Sequence, residues 1–233
     1  REMEIRKILG TALANGQTKE IIYTPPQGEQ LLREKLANWE VFLNENSDID
    51  PLIRMAIGHY QFEAIHPFAD GNGRTGRVLN ILYLVQQNLL TLPVLYLSKY
   101  IMQKRNDYYR LLQSVTSSSE WEEWILFMLK AVEETASWTT KKIEEVKNLF
   151  KKISMHVKEN KPSIYSHELI EIIFVQPYCR IQNLIDEKIA KRQTASHYLL
   201  ELTELGILEE VQRGREKIFI NLKLMQILIK DDK

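Results

Sequence analysis

Cysteine is almost absent from this chain. Cys179 stands alone among 233 residues, so no internal disulfide can form, and a reducing, cytoplasmic setting is expected. Membrane-length apolar runs are lacking too. The most apolar stretch, Leu79 to Leu97, is broken by Asn80, by Gln86-Gln87-Asn88 and by Pro93, and no secretory signal pattern is visible. Neither sign of charge dominates: 31 basic and 31 acidic residues give a formal net charge of zero, so whole-chain electrostatics point to neither nucleic acid nor membrane. Internal repeats and low-complexity segments are missing as well. What remains is 44% hydrophobic and 27% charged, ordinary for a globular chain long enough for one large domain or two small ones.

Glycine is scarce, nine in all, yet three fall within one stretch, His66-Pro67-Phe68-Ala69-Asp70-Gly71-Asn72-Gly73-Arg74-Thr75-Gly76-Arg77. The same stretch holds a histidine, a carboxylate and two arginines. This is the composition of a polyphosphate-binding loop that carries its own general base. Glycines let backbone N–H groups approach an anion, and a helix start behind them adds a favourable dipole. Arginines clamp phosphate oxygens bidentately, and a carboxylate holds the magnesium that accompanies a nucleotide. Gly71, Gly73 and Gly76 formally satisfy a dinucleotide fingerprint. That fingerprint needs a preceding strand and an acidic residue roughly 20 positions later. Here a helical-period segment precedes, and no Asp or Glu occurs between Asp70 and Asp107. A P-loop is excluded because no Gly-Lys-Ser/Thr closes the stretch. A glycine-rich turn with surface ion pairs is the bland alternative, and two arginines three apart on a new helix argue against it.

The flanking segments read as helices. Ile5, Ile8, Leu9 and Leu13 suggest a helix over Glu2 to Leu13, stopped at Ala14-Asn15-Gly16. Ile21-Ile22-Tyr23 is a short β-prone run, a small hairpin or exposed strand, closed by Pro25-Pro26 and Gly28. Glu29 to Leu43 is helical. Asp50-Pro51 starts a helix that runs to about Ile65 and delivers His66 at its end. Further helices are predicted from about Thr75 to Leu89, from Ser98 to Val115, and from Trp121 to about Val157 in one or two pieces. The pattern changes near Asn160-Lys161-Pro162, which places a boundary between domains 1–158 and 159–233. Beyond it, Ser166 to Ile173, Arg180 to Ile185 and Lys191 to Leu205 give three short helices. A hairpin with a basic glycine tip, Arg213-Gly214-Arg215, follows, the order of a winged helix-turn-helix.

The stretch 66–77 resembles the signature of the Fic family, His-x-Phe-x-Asp/Glu-Gly-Asn-Gly-Arg-x-x-Arg, at every fixed position. Ser98 to Val115 and the winged tail also resemble members that join a Fic core to such a tail. The fold this implies is mainly α: a Fic-type helical bundle with a small β-hairpin flap, then a winged helix-turn-helix. The activity it implies is AMPylation, the transfer of AMP from ATP, with Mg2+, to a Ser, Thr or Tyr hydroxyl of a target protein or of the enzyme itself. In that reading His66 is the general base and Asp70 holds magnesium at the α- and β-phosphates. Gly71, Asn72 and Gly73 form an anion hole. Arg74 and Arg77 hold the β- and γ-phosphates, and Thr75 and Gly76 complete the nucleotide-binding run. Phe68 anchors the loop. Gly73 stands where the Doc branch has a lysine, and the complete Gly-Asn-Gly-Arg argues against the phosphocholine-transferring branch. Tyr109 walls the purine or merely packs in the bundle. Ile21, Ile22, Tyr23 and Thr24 resemble the flap that aligns a target segment by strand addition. The family's inhibitory Ser/Thr-x-x-x-Glu-Gly/Asn does not occur in this chain; Thr116 to Glu120 fails because Trp121 follows.

Two readings compete for the tail. Lys191, Arg192, Thr194, Ser196 and His197 on a recognition helix, with Arg213, Arg215 and Lys217 on a wing, suit DNA. Against this, residues 161–233 carry eleven Lys/Arg and eleven Asp/Glu, a poor balance for phosphate neutralisation. Protein contact or substrate presentation is favoured, and a homodimer is left open. Rival functions are a DNA-binding regulator whose core senses nucleotide, and a deAMPylase that uses water as nucleophile.

Overall fold

The computed structural model describes residues 4–7, 10–14, 21–45, 48–214 and 216–230, with Leu13, Ala14 and Ile22 described by backbone alone. The expected residues Glu2, Ile8, Leu9, Asn15, Gly16, Lys19 and Arg215 lie outside that set. The chain divides into two compact units, Arg1–Thr139 and Thr140–Lys233. The division falls inside a continuous helix, whereas the change of sequence pattern marks that helix's end.

In the first unit, β1 (Leu13–Ala14) and β2 (Ile21–Tyr23) form an antiparallel hairpin. The helix expected over 2–13 is corrected: residues 4–7 and 10–12 carry none. Gly10 sits at φ 83, which ends any right-handed run, and Leu13 pairs with Tyr23 instead. The hairpin leads into α1 (Glu29–Asn44) and α2 (Pro51–Ile65). Asp50 caps α2 as the sequence indicates, accepting from the Leu52 N–H at 2.8 Å, with Pro51 at the first helical position.

Then come α3 (Asn72–Gln86), α4 (Leu97–Gln103), α5 (Arg105–Ser118) and α6 (Trp121–Asn160). The predicted 75–89 helix begins earlier, at Asn72, because Gly71 takes the left-handed conformation at φ 84 that lets the chain turn directly into the helix. The predicted 98–115 helix is two, broken at Lys104, and the last helix is a single piece.

The core of this unit joins Met55 and Ala56 of α2, Tyr83 and Leu84 of α3, Leu97 and Ile101 of α4, Leu111 and Val115 of α5, and Trp124 and Met128 of α6. Trp124 is its centre. The indole is fully buried, stacks on His59 and donates to the Ala56 carbonyl at 2.9 Å. A buried aromatic of this size is worth on the order of 3–5 kcal/mol against alanine.

The second unit holds α7 (His167–Val175), β3 (Tyr178–Cys179), α8 (Ile181–Asp186), α9 (Arg192–Glu204), β4 (Glu209–Arg213), β5 (Glu216–Ile220) and α10 (Leu222–Ile229). Its antiparallel sheet has the order β3-β5-β4. Sequence patterning did not anticipate β3 or α10. Leu169, Ile173, Leu184, Leu199, Leu202 and Phe219 close the core, with Ile153 and Val157 from the end of α6. Cys179 is buried among them, and burial pushes its thiol up to about 11, as suits an inert apolar filler.

Candidate active site

His66 stops α2. Its N–H still reaches the Phe62 carbonyl at 3.0 Å, but its own backbone is left-handed, at φ 49 and ψ 58. That conformation costs a non-glycine residue about 1–2 kcal/mol, so the surroundings must impose it. The imidazole is half-buried, and its Nδ1 lies 3.4 Å from the Glu63 carbonyl oxygen. A carbonyl only accepts, so Nδ1 carries the hydrogen and Nε2 keeps its lone pair. Burial pushes the imidazole pKa down; the Glu63 carbonyl opposes this and the Arg6 charge adds to it. A neutral ring at neutral pH with a free Nε2 is the state a general base needs.

The first turn of α3 presents N–H groups at Asn72, Gly73 and Arg74 that are unpaired among the described residues, the ready anion site of any helix start. The Asn72 side chain has a different task. Its Oδ1 accepts from the Phe68 N–H at 2.9 Å and its Nδ2 donates to the Phe68 carbonyl at 2.8 Å. It staples the loop and leaves only its backbone for an anion. Thr75 closes the first turn by donating its N–H to the Gly71 carbonyl at 2.9 Å. Asp70 and Arg74 are 92% and 75% exposed and pair at 3.2 Å. Arg77 donates through Nε to Ser98 Oγ at 2.8 Å, which holds the guanidinium in place.

Gly76 is buried and serves packing. A Cβ there would lie 2.8 Å from Glu63 Oε1, 3.2 Å from His59 Cε1 and 3.2 Å from Phe62 Cδ1, so its absence sets how closely α2 and α3 approach. Gly73 leaves room for Arg77, whose Nη1 would be 3.1 Å from an added Cβ. Phe68 packs against Phe62 at 6.3 Å between ring centroids, the anchoring role read from the sequence.

Several residues bearing on the site carried no motif. Glu63, one helical turn before His66, buries a carboxyl oxygen that has no hydrogen-bond partner among the described residues. Burial raises its pKa to about 7, although Arg77 pulls it back. His59 is buried, its Nε2 is 3.0 Å from the Tyr108 hydroxyl, and burial with Arg77 pushes its pKa down to about 3. It is a core histidine, neutral throughout the working range. Arg6 and Ser98 complete this group. Only the i, i+3 relation of Glu63 to His66 hinted at any of them.

Tyr109 is 54% exposed, edge-on to the buried Tyr108 and beneath Arg105. Among the described residues no hydrogen bond or ring contact joins it to the 66–77 loop. Ile21 is 63% exposed on β2, whereas the Tyr23 hydroxyl turns inward to the Ala64 carbonyl at 2.8 Å; Thr24 follows the strand. In the tail, Lys191, Arg192, Thr194 and His197 are exposed at and on α9, Ser196 is half-buried, and Arg213 is exposed on β4. Lys217 pairs with Glu210 at 2.8 Å, and Arg180 with Glu216 at 3.4 Å.

Among the described residues no helix is long and apolar enough to cross a membrane. Residues 3–84 match the Fic/DOC family, and residues 149–224 match the C-terminal domain of SoFic-like protein adenylyltransferases. Protein adenylyltransferase fic-1 of Caenorhabditis briggsae is 42% identical over 76 residues, 31% of this chain and 15% of that protein. A probable protein adenylyltransferase of Aquifex aeolicus is 40% identical over 81 residues, 35% of this chain and 24% of its own. Protein adenylyltransferase Fic of Nematostella vectensis is 30% identical over 114 residues, 48% of this chain and 25% of its own. The matched part thus spans a quarter or less of each relative. Among solved structures, a Fic family protein from Desulfovibrio desulfuricans G20 aligns over 95% of this chain and 61% of its own, with a TM-score of 0.48 at 20% identity.

Proposed function

The chain belongs to the Fic family, and on that premise we propose that it is a protein adenylyltransferase, moving AMP from ATP to a hydroxyl side chain of a target protein. One observation carries the reading: a neutral imidazole with Nε2 free is set at the end of one helix, and the N–H groups of the next helix open a few residues later. His66 takes the proton of a Ser, Thr or Tyr hydroxyl, the target itself or a residue of this chain. That oxygen attacks the α-phosphorus, the bond to the bridging oxygen breaks, and pyrophosphate leaves. Gly71 and the N–H groups of Asn72 and Gly73 meet the developing negative charge, and Arg74 and Arg77 hold the leaving phosphates.

Asp70 suits magnesium by its donor chemistry. It is a hard carboxylate, exposed, beside a phosphate-binding helix start, and magnesium prefers one or two carboxylates completed by phosphate oxygens and water. Bound there with ATP, the ion would neutralise phosphate charge.

The order α7, α8, α9 and the β4–β5 hairpin supports a winged helix-turn-helix for the tail. Because Lys217 and Arg180 are already paired with carboxylates, protein contact is favoured over DNA. A buried, unreactive Cys179 accords with a cytoplasmic location.

Label from α-32P-ATP with Mg2+ should appear in this protein or in lysate proteins and vanish with His66→Ala. Label that survives His66→Ala would overturn the assignment of the base.

A further inference from the structure

The last carbonyls of a helix have no partner inside it, and a cation there is favoured by the helix dipole. At the end of α2 these carbonyls are taken by two side chains from far upstream. The Tyr23 hydroxyl donates to Ala64 at 2.8 Å. The buried Arg6 donates through Nη2 to Ile65 at 3.4 Å and through Nε to His66 at 2.7 Å. Its backbone N–H donates to Pro67 at 2.9 Å, and its guanidinium also reaches the Pro26 carbonyl, just past β2. Four successive carbonyls around a left-handed histidine are thus held from one segment, and that segment contains the strand with the exposed Ile21.

We propose that Arg6 and Tyr23 are positioning residues that clamp the left-handed end of α2, hold the His66 imidazole on its target and couple it to the strand where that target docks. This rests on reading His66 as the base of AMP transfer. A target segment adding to β2 bears on Tyr23, and Tyr23 bears on the backbone two residues before His66. The base is thereby firmest when the acceptor is in place. Arg6 has a second effect that a mere tether would lack. Its charge presses on the imidazole, on which burial and the Glu63 carbonyl also act.

The test uses the full chain with Arg6→Gln, Arg6→Lys and Tyr23→Phe, each checked for fold by circular dichroism. Imidazole titration of His66 by 15N NMR needs no activity and reads the clamp directly. Arg6→Gln should raise the His66 pKa, and Arg6→Lys, which keeps the charge without the fork, should leave it near wild type. In the transfer assay, Arg6→Lys and Tyr23→Phe should each lower kcat roughly 10-fold or more, with KM for ATP unchanged, as misplacement of a reacting group does. A His66 titration unmoved by Arg6→Gln, or a kcat unmoved by Tyr23→Phe, overturns the proposal. If Arg6→Gln does not fold, the kcat of the other two variants decides. Should the wild type transfer nothing, the function fails and the titration alone still judges the clamp.

Discussion

Glu63 shows how much a single residue near this site is set by its surroundings. Its carboxyl faces the backbone of α3 at Gly76, with Oε1 buried and unpaired among the described residues, and its pKa is raised from an ordinary 4.5 to about 7. Between those two values the folded protein binds more protons than the unfolded chain. Its contribution to stability therefore falls as pH rises from 4.5 to 7. Below that window there is no penalty; above it the full cost stands, up to about 3 kcal/mol. Glu63→Gln keeps the shape and removes the titration. Its melting temperature should exceed that of wild type at pH 8 by clearly more than at pH 4.5, and an equal gap at both values would refute this. Asn72 is the opposite case. The motif marks it for an anion, while the structure commits its amide to the Phe68 backbone on both sides.

At the scale of elements, the decisive feature is the close crossing of α2 and α3. Gly76 permits it, against His59, Phe62 and Glu63. Two effects oppose each other in Gly76→Ala: alanine gains about 1 kcal/mol of helix propensity, and overpacking costs about 1–3 kcal/mol. Glu63 Oε1 can swing aside, but the ring atoms of His59 and Phe62 cannot, because His59 is stacked on Trp124 and Phe62 packs on Trp39. Overpacking should win by about 1 kcal/mol. Urea unfolding would show this as a lower midpoint at unchanged slope, and a midpoint that rises would show that the helices part freely.

For the whole molecule, charge is the governing quantity. The tail is neutral, and its basic residues are in part already paired: Lys161 with Glu201 and Glu204, Lys217 with Glu210, Arg180 with Glu216. Among the described residues, only Lys191, Arg192 and Arg213 offer unshared charge on the elements a winged reader would use. Neutralising so few phosphates releases few counterions. Duplex DNA should therefore not be retained in a gel-shift series at about 150 mM salt, and retention with a steep salt slope would restore the DNA-binding reading.

Much of this protein was determined by local sequence alone. The 66–77 motif, the Asp50-Pro51 helix start and the tail's helix order all follow from residue type and spacing, because capping, left-handed glycine and helical period act over a few positions. Tertiary structure decided what depends on distant partners. The helix expected over 2–13 gave way once Arg6 met carbonyls 60 residues on and Leu13 met Tyr23. The inward turn of Tyr23, the capture of Arg77 by Ser98 and the raised pKa of Glu63 have no trace in spacing. Burial and hydrogen bonding across dozens of residues are properties of the folded chain, and only there do they set which groups are free to react.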